Sequence, residues 1–86
     1  MHKAFFSPRA RKAFLDLPEQ QARRVKEAIE SLMNDPRSHG TIKLESAPVA
    51  QYRHRVGHLR ILFDMDDKNQ VIEILDIRKR DERTYK

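Results

Sequence analysis

Tyr52–Arg53–His54–Arg55–Val56–Gly57–His58–Leu59–Arg60–Ile61–Leu62–Phe63 changes character at every second residue. Tyr52, His54 and Val56 alternate with Arg53 and Arg55; Leu59, Ile61 and Phe63 alternate with Arg60 and Leu62. A period of two is the signature of a strand with two unlike faces. Gly57–His58 between the two runs fits a two-residue hairpin loop with glycine at the first central position. The register then follows. Val56 faces Leu59, Arg55 faces Arg60, His54 faces Ile61 and Tyr52 faces Phe63. One face of the hairpin is apolar, with Tyr52, Val56, Leu59, Ile61 and Phe63; the other carries Arg53, Arg55 and Arg60. A one-residue slip in the turn sends Arg60 to the apolar face, so this stretch decides both the fold and the candidate site.

Asp66 to Asn69 reads as a second turn. Val71 to Ile77 is strongly β-forming and apolar on both faces, as a central strand is. Upstream of the hairpin, residues 37–48 hold Gly40 and Pro48 and read mostly as loop. Before them lie two helical patterns. Ser7 is an N-cap residue and Pro8 suits the first helical position, which predicts a helix from about Pro8 to Leu17 with Ala10, Phe14 and Leu17 on one stripe. Pro18 breaks and restarts the pattern. Ala22, Val25, Ile29, Leu32 and Met33 then mark a one-sided amphipathic helix to about Met33, stopped by Asn34–Asp35–Pro36. Lys3 to Phe6 is a candidate edge strand. The order is β-α-α-β-β-β, an α+β fold with a helical hairpin packed on one face of a small antiparallel sheet.

With 86 residues the chain has room for a single domain (1–86) and one modest core. The absence of cysteine excludes disulfides and thiolate metal sites, and fits a reducing compartment. Met1 to Phe6 is too short an apolar start for a signal peptide, and no apolar run reaches a membrane span; a soluble, cytoplasmic protein without a membrane partner is expected. The net charge of +5 favours a nucleic-acid partner, since protein cations release counterions from phosphates. There is no phosphate-cradling glycine loop, no Ser-His-Asp arrangement, and no spaced metal set among the four histidines at 2, 39, 54 and 58. Neither a cofactor nor a metal is expected.

Like charges directly opposed across a ladder cost roughly 0.2–1 kcal/mol per pair, so the Arg55–Arg60 pair asks for a reason. One reading is an anion held between them. The other is that both side chains splay into water or pair with Asp76, Asp81 or Glu82. The tail from Arg78 to Lys86 adds Arg78, Arg80 and Arg83, with Tyr85 near its end. Such a basic terminus is either a solvated tail or, through Tyr85, an anchor onto the sheet.

The hairpin sequence resembles the central hairpin of the RelE/ParE toxin superfamily, where a Y-R-x-R-V-G-x-x-R-I-L-[YF] pattern recurs. The ending from Arg78 to Tyr85 is similar to that family's C-terminal segment, and Leu17–Pro18 at the start of the second helix also matches. The resemblance covers nearly the whole chain. It implies the toxin of a type II toxin–antitoxin system, neutralised by a cognate antitoxin that wraps it. In RelE-type members it implies binding at the ribosomal A site and endonucleolytic cleavage of mRNA, with the ribose 2′-OH attacking the adjacent phosphate. Carried over by position, Arg53 and Arg55 match the basic residues of the first hairpin strand and Arg60 the phosphate-binding arginine of the second. Arg80 matches the arginine after the last strand, and Tyr85 the terminal tyrosine that supports the reacting nucleotide. Arg55, Arg60, Arg80 and Tyr85 are thus the implied catalytic set, and Arg53, Arg78 and Arg83 the implied RNA-phosphate contacts.

The chemistry suits those roles. Preorganised cations stabilise the extra charge of a pentacoordinate phosphorane, the planar guanidinium fork matches phosphate, and a tyrosine ring offers a stacking surface for a base. The sequence also departs from the pattern. Arginines stand where some relatives have lysines in the first hairpin strand, and a guanidinium does not serve as a general base. No histidine lies in the C-terminal segment. His54 is expected on the core side; His58, Asp81 and Glu82 remain candidate proton acceptors. Two alternatives share the fold: a ParE-like inhibitor of DNA gyrase that cuts nothing, and a catalytically inactive member that acts only with its antitoxin.

Overall fold

The hairpin turn forms as its glycine demands. Gly57 has a φ of +58°, a conformation that side-chain-bearing residues disfavour. His58 keeps a negative φ, the combination of a turn with glycine at the first central position. A computed structural model describes residues 2–35, 41–44 and 50–79. Within them lie β1 (Lys3–Phe6), α1 (Pro8–Leu15), α2 (Glu19–Asn34), β2 (Thr41–Lys43), β3 (Tyr52–Val56), β4 (Leu59–Asp66) and β5 (Val71–Lys79). The register of β3 on β4 is Tyr52↔Phe63, Arg53↔Leu62, His54↔Ile61, Arg55↔Arg60 and Val56↔Leu59, as the turn position requires.

The strands form one five-stranded sheet in the order β1-β5-β4-β3-β2. Two features differ from the sequence expectation. The sheet is mixed rather than wholly antiparallel, because β1 runs parallel to β5, from Lys3↔Val71 to Phe6↔Ile74. The two helices make the connection between β1 and the rest of the sheet long enough to permit a parallel return. Second, Thr41–Lys43, expected as loop, is an edge strand antiparallel to β3. Three residues beside Gly40 carry no strand periodicity of their own; pairing with β3 makes them one.

The helices lie on the apolar face. Ala10, Val25, Ile29 and Leu32 pack with Leu59, Ile61, Phe63, Ile72, Ile74 and Ile77 in one buried cluster, with Tyr52 and Val56 against it. Tyr52 and Phe63, cross-strand partners, stack with ring centroids 5.5 Å apart. Ser7 caps α1: its Oγ accepts from the Ala10 N–H at 3.1 Å and donates to the Leu75 carbonyl at 2.7 Å. α1 ends at Leu15 and α2 begins at Glu19, so the break at Pro18 is slightly longer than the pattern suggests. Beside β1, Ala4, Phe6, Phe14, Ile29 and Met33 line an apolar groove of about 420 Å³ flanked by Lys26 and Glu30.

Leu75 is the key irregularity. The β4–β5 register runs Arg60↔Arg78, Ile61↔Ile77 and Leu62↔Asp76, then shifts to Phe63↔Ile74 and Asp64↔Glu73. One residue of β5, Leu75, is left over as a bulge, which reverses the in–out phase of everything after it. Ile72 and Ile74 face the helices before the bulge, and Ile77 faces them after it. Without the bulge, strict alternation would have placed Asp76 and Arg78 among the core isoleucines.

Candidate functional site

The phase reversal has a chemical result. Arg55 of β3, Arg60 of β4 and Arg78 of β5 are successive cross-strand partners. They form one row of three guanidinium-bearing positions on the face opposite the helices. Arg53, two residues from Arg55, shares that face. Beside it, Leu62 and Asp76 complete the next row; Leu62 is buried and gives the site an apolar floor.

Asp76 is the anion within this cationic surface. It is only 7% exposed. Its Oδ2 accepts from Arg78 Nε at 2.8 Å, and its Oδ1 accepts from the Ile77 N–H at 2.8 Å. β1 pairs with β5 only as far as Ile74, so β1 offers the Ile77 amide no partner and Asp76 satisfies it. The carboxylate therefore fixes the Arg78 side chain while it ties down the backbone. Asp76, which the sequence offered as a partner for Arg55 or Arg60, pairs with Arg78 instead.

His54 lies on the core face and is buried. Its Nδ1 lies 2.9 Å from Thr41 Oγ1 on the neighbouring strand. Burial lowers its pKa, because the imidazolium loses hydration there. His54 thus holds β2 onto β3 and stands apart from the arginine row. His58 is exposed in the turn. Arg24 of α2 reaches the same turn: a Cβ built on Gly57 lies 3.8 Å from its Nη1. Among the described residues, no group of three or more His, Asp or Glu is placed to hold a metal ion.

Of the residues singled out in the sequence, Arg53, Arg55, Arg60 and Arg78 share one face. Arg80, Arg83 and Tyr85, with Asp81 and Glu82, lie outside the described residues. Arg78 takes a more central place than sequence reading gave it, and Asp76 enters the site as its positioning partner. The signal for Asp76 was a lone carboxylate inside the otherwise apolar run Ile74–Leu75–Asp76–Ile77.

A family model described as the ParE toxin of type II toxin-antitoxin systems, parDE, matches residues 4–84. The chain belongs to the RelE/ParE toxin superfamily. It is a type II toxin with a RelE-like fold. A chain of the archaeal RelE–RelB complex from Pyrococcus horikoshii OT3 is 28% identical, with a TM-score of 0.81 over 94% of this toxin and 97% of that chain. The toxin–antitoxin complex RelBE2 from Mycobacterium tuberculosis gives 25% identity and a TM-score of 0.80, covering 92% and 98%. The isolated E. coli RelE toxin, at 19% identity, has the same fold with a TM-score of 0.80, covering 95% and 87%. A search of curated proteins finds no match. Among the described residues, no helix of the toxin is long and apolar enough to cross a membrane.

Proposed function

We propose that this toxin is a ribosome-dependent endoribonuclease that cuts mRNA in the A site by attack of a ribose 2′-OH on the adjacent phosphate. The observation that carries the reading is the row Arg55–Arg60–Arg78. Three neighbouring cationic positions repel one another across the ladder; Asp76 offsets part of this at Arg78, and a phosphate lying among them turns the arrangement favourable. In the transition state the phosphoryl oxygens gain charge, and guanidinium groups already in place stabilise them without reorganisation. Arg60, at the centre of the row, is assigned to the scissile phosphate, with Arg55 beside it and Arg53 and Arg78 on the flanking RNA phosphates. Arg80 and Tyr85 are assigned by family position to the phosphate and to stacking on the reacting nucleotide, and Arg83 to the RNA backbone. His54 is excluded as the base because it faces the core; rate then comes chiefly from positioning and electrostatics. Residues 1–86 act as one domain in the cytoplasm, without cofactor or metal.

A cognate antitoxin is the second partner. The apolar groove at Phe6, Phe14 and Met33 and the cationic face are surfaces that a partner gains by covering. The antitoxin orders on contact and stabilises the toxin by binding its native state.

Single-turnover cleavage of mRNA on programmed ribosomes tests the reading. Arg60→Ala should lower cleavage by about 10²–10³-fold, the effect of losing one transition-state donor. Arg60→Lys should restore it only in part, since a point charge does not reproduce the bidentate fork. The ParE model match favours a second reading, inhibition of DNA gyrase without cleavage. Wild-type toxin that leaves mRNA intact and blocks gyrase supercoiling would establish that reading instead.

A further inference from the structure

The arginine row covers only one end of its sheet face. Four residues along β4 from Arg60 stands Asp64, and its cross-strand partner on β5 is Glu73. Both share the face of Arg60, since Asp64 is an even number of residues from Arg60 along β4 and Glu73 is directly opposite Asp64. Asp66, two residues further, carries a third carboxylate on the same side. At about 3.3 Å per residue, the surface changes sign over roughly 13 Å. Arg53 and Leu62, in the row between, mark the boundary.

The acidic end is built into the sheet. Asp64 Oδ1 accepts from the Gln51 N–H at 2.7 Å. Asp66 accepts from the Asn69 N–H at 3.2 Å and from its side-chain amide at 2.7 Å. The Asn69 side-chain bond, followed by its backbone bond, holds the Asp66 carboxyl below its usual pKa range. Glu73 is exposed directly opposite Asp64. Like charges facing each other on a ladder are as costly here as in the arginine row, and no phosphate relieves this pair.

We infer that Asp64 and Glu73 determine the path of the RNA, confining its backbone to a line across the strands, along Arg55–Arg60–Arg78, and repelling it from a line along them. This rests on the proposed RNA-cleaving function and adds a specificity element to it. A polyanion laid along β4 would leave Arg60 and meet two carboxylates within about two Debye lengths at physiological salt. Laid across the strands, it meets three arginines in a row, and the one carboxylate beside them among the described residues, Asp76, is already engaged by Arg78. The site thereby takes a short stretch of backbone, which favours one phosphate over its neighbours.

The test compares Glu73→Lys with Glu27→Lys, an equal change of net charge on the exposed surface of α2, on the other side of the sheet. Binding of a tetrauridylate and a dodecauridylate is followed by fluorescence anisotropy as salt is varied, beside cleavage on programmed ribosomes. In wild type and Glu27→Lys, the two oligonucleotides should bind with nearly equal affinity after correction for the number of registers. In Glu73→Lys the longer one should gain, with its plot of log affinity against log salt steeper by about 0.7, one added single-strand contact. Between 50 and 200 mM salt that is an extra loss of about 2.6-fold. Glu73→Lys places a cation opposite Asp64, so its melting temperature should hold or rise. Equal gains in both variants, or none in either while wild type still cleaves, would overturn the inference alone. Wild type that neither binds the oligonucleotides nor cleaves would overturn the function on which it rests.

Discussion

Asp76 is the most informative residue to perturb, because its two oxygens do separable things. Asp76→Ala removes both. The Ile77 N–H then loses its acceptor in a buried position, which costs about 1–3 kcal/mol. The Arg78 pair contributes less. Its guanidinium side is 49% exposed and rehydrates when released, so its loss adds at most about 1 kcal/mol. A drop of about 1–4 kcal/mol corresponds to roughly 4–32 °C in Tm for a domain of this size. Asp76→Asn keeps an oxygen that still accepts from Ile77 and loses the charge that holds Arg78. Its cost should be at most about 1 kcal/mol, and its Tm should fall between those of wild type and Asp76→Ala. The activity readouts should move in opposite directions. Removing an anion beside the arginine row should tighten salt-sensitive RNA binding. Cleavage should fall about tenfold, the rate equivalent of about 1.4 kcal/mol of lost positioning at the transition state. Thermal melts, anisotropy and single-turnover cleavage on the same three proteins measure all of this. Identical melting of the Asn and Ala variants, or full cleavage by Asp76→Asn, would refute the division of labour between the two oxygens.

Two further outcomes concern the scaffold. His54 is buried with a lowered pKa, so the unfolded chain binds its proton more readily than the native one. Stability from this residue is complete above the unfolded pKa of about 6.5 and is lost as pH falls below it; Tm measured from pH 7.5 to 5 should decline, and His54→Gln, which does not titrate, should remove that part of the slope. Gly57→Ala should cost about 1–2 kcal/mol in a denaturant melt, because φ is +58° and a left-handed conformation strains any residue with a Cβ; the nearest atom at 3.8 Å makes steric clash a minor part, so a neutral substitution would show that the turn readjusts.

Much of this was readable from the residues. Gly57–His58 fixes the hairpin register, and with it the placement of Arg53, Arg55 and Arg60 away from the helices. The stripes at Val25, Ile29 and Leu32 and at Ala10 and Phe14 identify the helices and the face they bury. Three things were not readable. Thr41–Lys43 becomes a strand only through its neighbour. The parallel return of β1 depends on tertiary packing of residues far apart in sequence. The bulge at Leu75 was hidden because only Glu73 and Asp76 interrupt the otherwise apolar run from Val71 to Ile77, and one odd spacing between two polar residues does not by itself reveal a change of phase. The position of Arg78 depends on that change, so the third member of the row needed the folded sheet to be seen.

The pairing of β1 with β5 carries a consequence in time. Ser7 and Leu75, joined by a hydrogen bond in the fold, are 68 residues apart in the chain. Synthesis at about 5–20 residues per second separates their appearance by roughly 3–14 s. Throughout that interval β1 has no partner, and the sheet lacks the strand that lies between β1 and β4. Such non-local closure also makes folding slow relative to helical domains of the same length. A nascent chain halted before Val71 holds the hairpin arginines without Arg78 and without a closed core, so the toxin matures in a single late step rather than by degrees.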